Sequence, residues 1–211
     1  MFRSRRVLGS RPRGLHRRRL HLEGLEHRRV LATFTLNSLQ DAPDANPGDG
    51  LAEDGAGRTT LRAAVMEANA LSGADTINFD ATVFTGGSAN VLKLAGTELE
   101  ITETLTIDAS ALTENATIDA LQNSRVLHFS ATTGDLTLTG LNIQNGHTTG
   151  ILCGGGIRFY SNGTLSLTGS TLSGNSSNSS GGGIYARRSS VTLTDSTVSG
   201  TTSKRDGGGL A

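Results

Sequence analysis

In the last third of the chain, apolar residues fall at every second position and return in phase. Leu165 and Leu167 alternate with Thr164, Ser166 and Thr168, and Leu172 follows after a turn. Val191, Leu193 and Val198 hold the same places in the next copy, set among Ser190, Thr192, Thr194 and Thr197. A period of two puts the aliphatic side chains on one face of an extended strand and the hydroxyls on the other. Glycine triplets frame the copies. Gly154–Gly156 precedes Ile157, Gly181–Gly183 precedes Ile184 and Gly207–Gly209 precedes Leu210, at spacings of 27 and 26 residues. A unit this short cannot bury its own apolar face, so copies must stack.

The pattern predicts an all-β fold, a right-handed parallel β-helix. Each copy would give strand, turn, strand and turn, with coils about 4.8 Å apart. Leu165 would lie against Val191, Leu167 against Leu193 and Leu172 against Val198. The shared register argues against a disordered Gly/Ser linker. Ile157 and Ile184 are expected to point inward, which sends Phe159 and Ala186 inward and Arg158 and Tyr185 outward. Arg158 and Tyr185 would then be close enough for a cation–π contact.

Upstream the alternation is less regular. Short strands are expected at Leu99–Ile101, Leu105–Ile107, Ile118 and Val126–Phe129, then at Leu136–Leu138 and Leu141–Ile143. Thr33–Asn37 reads as a first strand. A helical period occurs at Thr60–Ala70, where Leu61, Ala64, Val65 and Ala68 make one stripe. Thr59 or Thr60 can cap its start, and Gly73 is placed to end it. This helix is predicted to cover the N-terminal end of the solenoid, whose open strand edge needs cover. The chain thus divides into a basic leader (1–32), an N-terminal capping region (33–98) and the repeats (99–211). It stops at Ala211, two residues into a new strand, which predicts a fragment of a longer surface protein.

Composition agrees with a strand-and-turn repeat: 28 Gly, 3 Pro and no Trp. The formal net charge of zero hides a split. Residues 1–30 hold ten Arg against Glu23 and Glu26, leaving nine Lys and Arg against seventeen Asp and Glu in the remainder. An acidic body makes nucleic acid an unexpected partner. No apolar run is long enough for a transmembrane helix. The leader also lacks the apolar core of an ordinary signal peptide.

Two segments carry a resemblance. Leu22-Glu23-Gly24-Leu25-Glu26-His27-Arg28-Arg29-Val30-Leu31-Ala32 resembles the Leu-Glu-x-Leu-Glu-x-Arg leader of large planctomycete-type surface proteins, which implies export. Thr59-Thr60-Leu61-Arg62-Ala63-Ala64-Val65-Met66-Glu67-Ala68-Asn69 resembles the Cys-Ser-Leu-Arg-Glu-Ala-Ile-x-x-Ala-Asn motif of the CSLREA domain. Leu61, Arg62, Ala64, Ala68 and Asn69 match; Thr59 stands where the family has Cys. A second family Cys, expected near Leu51–Ala52, is also absent, which implies that a family disulfide has been dispensed with. That domain precedes β-helices similar to the repeats of polymorphic outer membrane proteins. Their Gly-Gly-Ala-Ile signature appears here as Gly154–Ile157 and Gly181–Ile184. Their Phe-x-x-Asn signature appears as Phe159–Asn162, with Leu172–Asn175 the better positional equivalent.

Candidate chemistry is sparse. Cys153 is alone, so no disulfide or zinc motif exists within the chain. His128 and His147 have no nucleophile motif beside them, and His16, His21 and His27 lie in the leader. Asp135 and Asp195 stand singly, and Asp206 adjoins Lys204 and Arg205 in a turn. Polysaccharide-cleaving sites need carboxylates or bases gathered across neighbouring coils, so catalytic, cofactor and metal residues are all read as none. In the loop Asp41–Gly57, Asp44, Asn46 and Asp49 invite calcium. Position 12 counted from Asp44 is Gly55, however, which fails the EF-hand rule, and a solvated turn is expected. The resemblance implies an extracellular or outer-membrane-associated, non-catalytic structural or adhesive protein, with surface proteins or polysaccharides as partners. The alternative is a carbohydrate-active β-helix whose site lies outside this chain.

Overall fold

The alternating residues do form strands, and every paired strand is parallel. The computed structural model describes residues 31–211, so nearly all of the expected leader lies outside the described residues. The first strand is Thr33–Leu36 (β1), followed by a long loop and the helix Leu61–Ala70 (α1). The first complete turn is Ala74–Phe79 (β2), Val91–Lys93 (β3) and Leu99–Ile101 (β4). The second is Thr104–Asp108 (β5), Ala116–Asp119 (β6) and Leu127–Phe129 (β7). The third adds a strand: Leu136–Thr139 (β8), Leu141–Gln144 (β9), His147–Thr148 (β10) and Ile157–Tyr160 (β11). The fourth repeats it as Thr164–Thr168 (β12), Thr171–Ser173 (β13), Ser176–Ser177 (β14) and Ile184–Arg187 (β15). Ser190–Thr194 (β16), Thr197–Ser199 (β17) and Thr202–Ser203 (β18) begin a fifth.

Stacking gives a right-handed parallel β-solenoid with three main sheets and a short fourth. The first sheet runs β1-β2-β5-β8-β12-β16, the second β3-β6-β9-β13-β17 and the third β4-β7-β11-β15; β10, β14 and β18 make the fourth. The expectation of two strands per turn is corrected to three or four. The segment after each glycine triplet forms a sheet of its own, and the two-residue strands of the fourth sheet are too short to show alternation.

The core is a set of unbroken columns. Phe34, Ile77, Ile107, Leu138, Leu167 and Leu193 stack in the first sheet. Leu92, Ile118, Ile143, Leu172 and Val198 stack in the second. Ile101, Phe129, Phe159 and Ala186 stack in the third. The expected Leu165–Val191, Leu167–Leu193 and Leu172–Val198 pairs are present. Full burial of each such side chain stabilises by about 1.5–3 kcal/mol. The glycine triplets stack backbone on backbone, with Gly156 N–H donating to Gly182 O at 3.1 Å and Ile157 N–H to Gly183 O at 2.8 Å. A Cβ on Gly155 would lie 2.3 Å from Ser176 O and 2.6 Å from Gly182 O, so no larger residue fits there.

The helix covers the N-terminal end. Thr60 caps it, accepting the Ala63 N–H at 3.0 Å. It ends at Ala70, one residue before Gly73 would end it, because Leu71 is already extended at φ −94°. Leu61, Ala64, Val65 and Ala68 are buried against the first turns. Two polar residues on α1 then complete β4, which among the described residues pairs with β7 on one side only. The Asn69 amide donates to Glu100 O and accepts from Thr102 N–H, both at 2.8 Å. Arg62 donates to Glu98 O at 3.1 Å and Thr97 O at 2.9 Å while pairing with Asp41 at 2.7 Å. These side chains stand in for the missing strand, so the edge is not left open.

Candidate functional site

The outer face of the third sheet gathers ionisable groups from successive turns. Register places Glu100, His128, Arg158 and Tyr185 in one outward column. Glu98, just before β4, reaches up to the next turn. One carboxylate oxygen accepts from Arg125 Nη1 and the other lies 3.1 Å from His128 Nδ1. Arg125 is 3 % exposed and donates from Nε to Gly154 O at 2.8 Å and from Nη2 to Cys153 O at 2.9 Å. One guanidinium therefore bonds the turn below it and the turn above it.

The electrostatics follow from this placement. Burial pushes the Glu98 carboxyl up, but the His128 hydrogen bond and the charges of Arg125, His128 and Arg158 outweigh it and hold the carboxyl below the usual glutamate range. Burial lowers the Arg125 guanidinium while Glu98 raises it, and it stays charged at neutral pH. A carboxyl that acts as a general acid near neutrality needs the opposite shift, upward. Glu100, the neighbouring carboxylate, accepts from the Ser130 hydroxyl at 2.9 Å. Both carboxylates are thus engaged in bonds between turns. Beside the cluster runs an open groove of about 470 Å³, lined in part by Glu98, Arg125, His147 and Leu152.

The singly placed residues take structural roles. His147 Nδ1 lies 2.8 Å from Ser176 Oγ on the next turn. Asp135 accepts the Thr164 N–H at 2.7 Å and so orders the start of β12. Asp195 occupies a left-handed turn position, φ +49°. The Asp206 carbonyl accepts from Gly181 N–H at 2.9 Å. Cys153 is half-buried, its Sγ 3.4 Å from Ser179 Oγ. Among the described residues no three acidic, histidine or cysteine side chains converge on one point.

The inward placement of Ile157 and Phe159 is as expected, and Arg158 does lie opposite Tyr185. The expected cation–π pairing is corrected. The ring that receives cations is Tyr160, with Arg187 and Arg188 each 5.6 Å from its centroid. Arg187 is its cross-strand partner, whereas Arg158 exerts its charge on Glu98. Sequence reasoning missed Glu98 and Arg125, which belong to no motif. Their signal is spacing alone: they stand 27 residues apart, the length of one turn.

Comparison of the chain with protein-family models, curated proteins and solved structures finds no match. Fold and site define a parallel β-solenoid whose outer ionisable cluster joins successive turns.

Proposed function

We propose that this chain is an exported, non-catalytic β-solenoid that serves a structural or adhesive role at the cell surface. The observation that carries the reading is the engagement of Glu98, Arg125 and His128 in bonds between turns rather than in a proton-transfer arrangement. The leader resemblance supports export, and the CSLREA-like helix at the end of the solenoid supports kinship with surface-displayed β-helices. No helix among the described residues is long and apolar enough to cross a membrane.

Two measurements test it. Incubation of the folded chain with polyuronates, with and without calcium, is expected to yield no unsaturated product by ultraviolet absorbance. Product formation abolished by Glu98→Gln would replace this reading with a carbohydrate-active one. Cell fractionation of the epitope-tagged chain in a planctomycete host is expected to place it outside the cytoplasm; a cytoplasmic location would overturn the display role.

A further inference from the structure

Asp44 lies in the loop between β1 and α1 and is 7 % exposed. Its Oδ1 accepts the Asn46 N–H at 2.9 Å, while Oδ2 is buried and meets no donor among the described residues. The residue lines a pocket of about 270 Å³ together with Asp49, Glu53 and Asp54. Burial holds the Asp44 carboxyl above the usual aspartate range; the Asn46 N–H opposes this, and the charges of Glu67, Asp49 and Glu53 add to it. Several of the local donors are already engaged. Gly48 and Gly50 N–H groups serve Glu67, Leu51 N–H serves Asp49, and Ala56 and Arg58 serve Asp54. A buried carboxylate oxygen without a donor is costly, and neighbouring carboxylates make it more so. A cation answers all of these charges at once.

We propose that this loop binds a divalent cation of calcium's kind, with Asp44 Oδ2 as the buried anchor and Asp49 and Glu53 at the mouth of the pocket. The pocket's side-chain donors are oxygens, which selects a hard cation over zinc or copper. Three side chains do not converge here, so carbonyl oxygens and water complete the roughly six to eight donors that calcium takes. The arrangement is not an EF-hand. What the spacing of acidic residues did not reveal is the burial of one carboxylate oxygen without a donor among the described residues.

The test uses the whole chain, stripped with chelator and titrated with calcium chloride by calorimetry, with thermal unfolding followed in parallel. One saturable site and a higher melting temperature in calcium than in sodium chloride of equal ionic strength are expected. Asp44→Asn is expected to weaken binding by about tenfold or more, whereas Asp195→Asn, which removes the same charge from a distant turn, leaves it unchanged. Should Asp44→Asn fail to fold, the pair Asp49→Asn and Glu53→Gln, both at exposed positions, is expected to give the same loss. Absence of saturable binding overturns the proposal. So does binding that survives loss of the loop carboxylates, or that falls equally in Asp195→Asn.

Discussion

Phe159 and Arg158 are adjacent in sequence and opposite in fate. Phe159 is fully buried, its ring 4.7 Å from that of Phe129 on one side and over Ala186 on the other. Phe159→Ala removes a ring from a column that cannot collapse without moving two turns, so a loss of about 3–5 kcal/mol in urea unfolding is expected. Arg158→Ala removes an outward side chain and is expected to lose under about 1 kcal/mol. This inside–outside assignment was legible in the sequence because strict alternation leaves only two choices and Ile157 recurs as Ile184. The cation that meets Tyr160 was not legible, because outward side chains choose partners by charge and reach. Titration follows the same logic. The Arg58 guanidinium holds the Asp54 carboxyl down to about 2, and Glu98 is held below its usual range. A depressed carboxyl stabilises the fold fully above its unfolded pKa, near 4, and that contribution is lost as pH falls through the folded value. Acid unfolding of Glu98→Gln is therefore expected to vary less with pH below about 4 than that of the parent, measured by circular dichroism.

The helix α1 shows how far local signals reach. Its apolar stripe and its Thr60 cap were readable from propensity and spacing, since both depend on residues within a few positions of one another. The tasks of Arg62 and Asn69 were not, because the carbonyls they meet, on β4 and just before it, lie more than 30 residues away. Asn69 works as a peptide group would, giving one hydrogen and taking one. Asn69→Ala is expected to lose about 1–2 kcal/mol, and Asn69→Asp is expected to recover little, because a carboxylate cannot donate. Val65→Asp, which places a charge against the first turns, is expected to lose more, about 3–5 kcal/mol, or to aggregate. Thermal melts of the three variants check the order. If Val65→Asp melts with the parent, the helix does not serve as a cap.

At the scale of the whole molecule, the later repeats were legible and the earlier turns only partly so. Turns three and four carry the glycine triplets and regular spacing, whereas turns one and two reach the same three sheets through loops of uneven length. The Glu98–Arg125 cluster stayed hidden because its members meet only once the turns are stacked. The shared register has a consequence for how such a protein can change length. Thr164 lies against Ser190, Leu165 against Val191 and Leu167 against Leu193, while Leu165 and Leu167 lie in turn against Leu136 and Leu138. Excising Thr164–Ser189 would set Val191 on Leu136 and Leu193 on Leu138, with both columns still apolar. Such a chain is expected to fold with its β-sheet circular dichroism intact, whereas removal of one residue within β12 is expected to abolish that signal. The register therefore sets the whole turn, rather than the single residue, as the step in which this molecule is expected to tolerate a change of length.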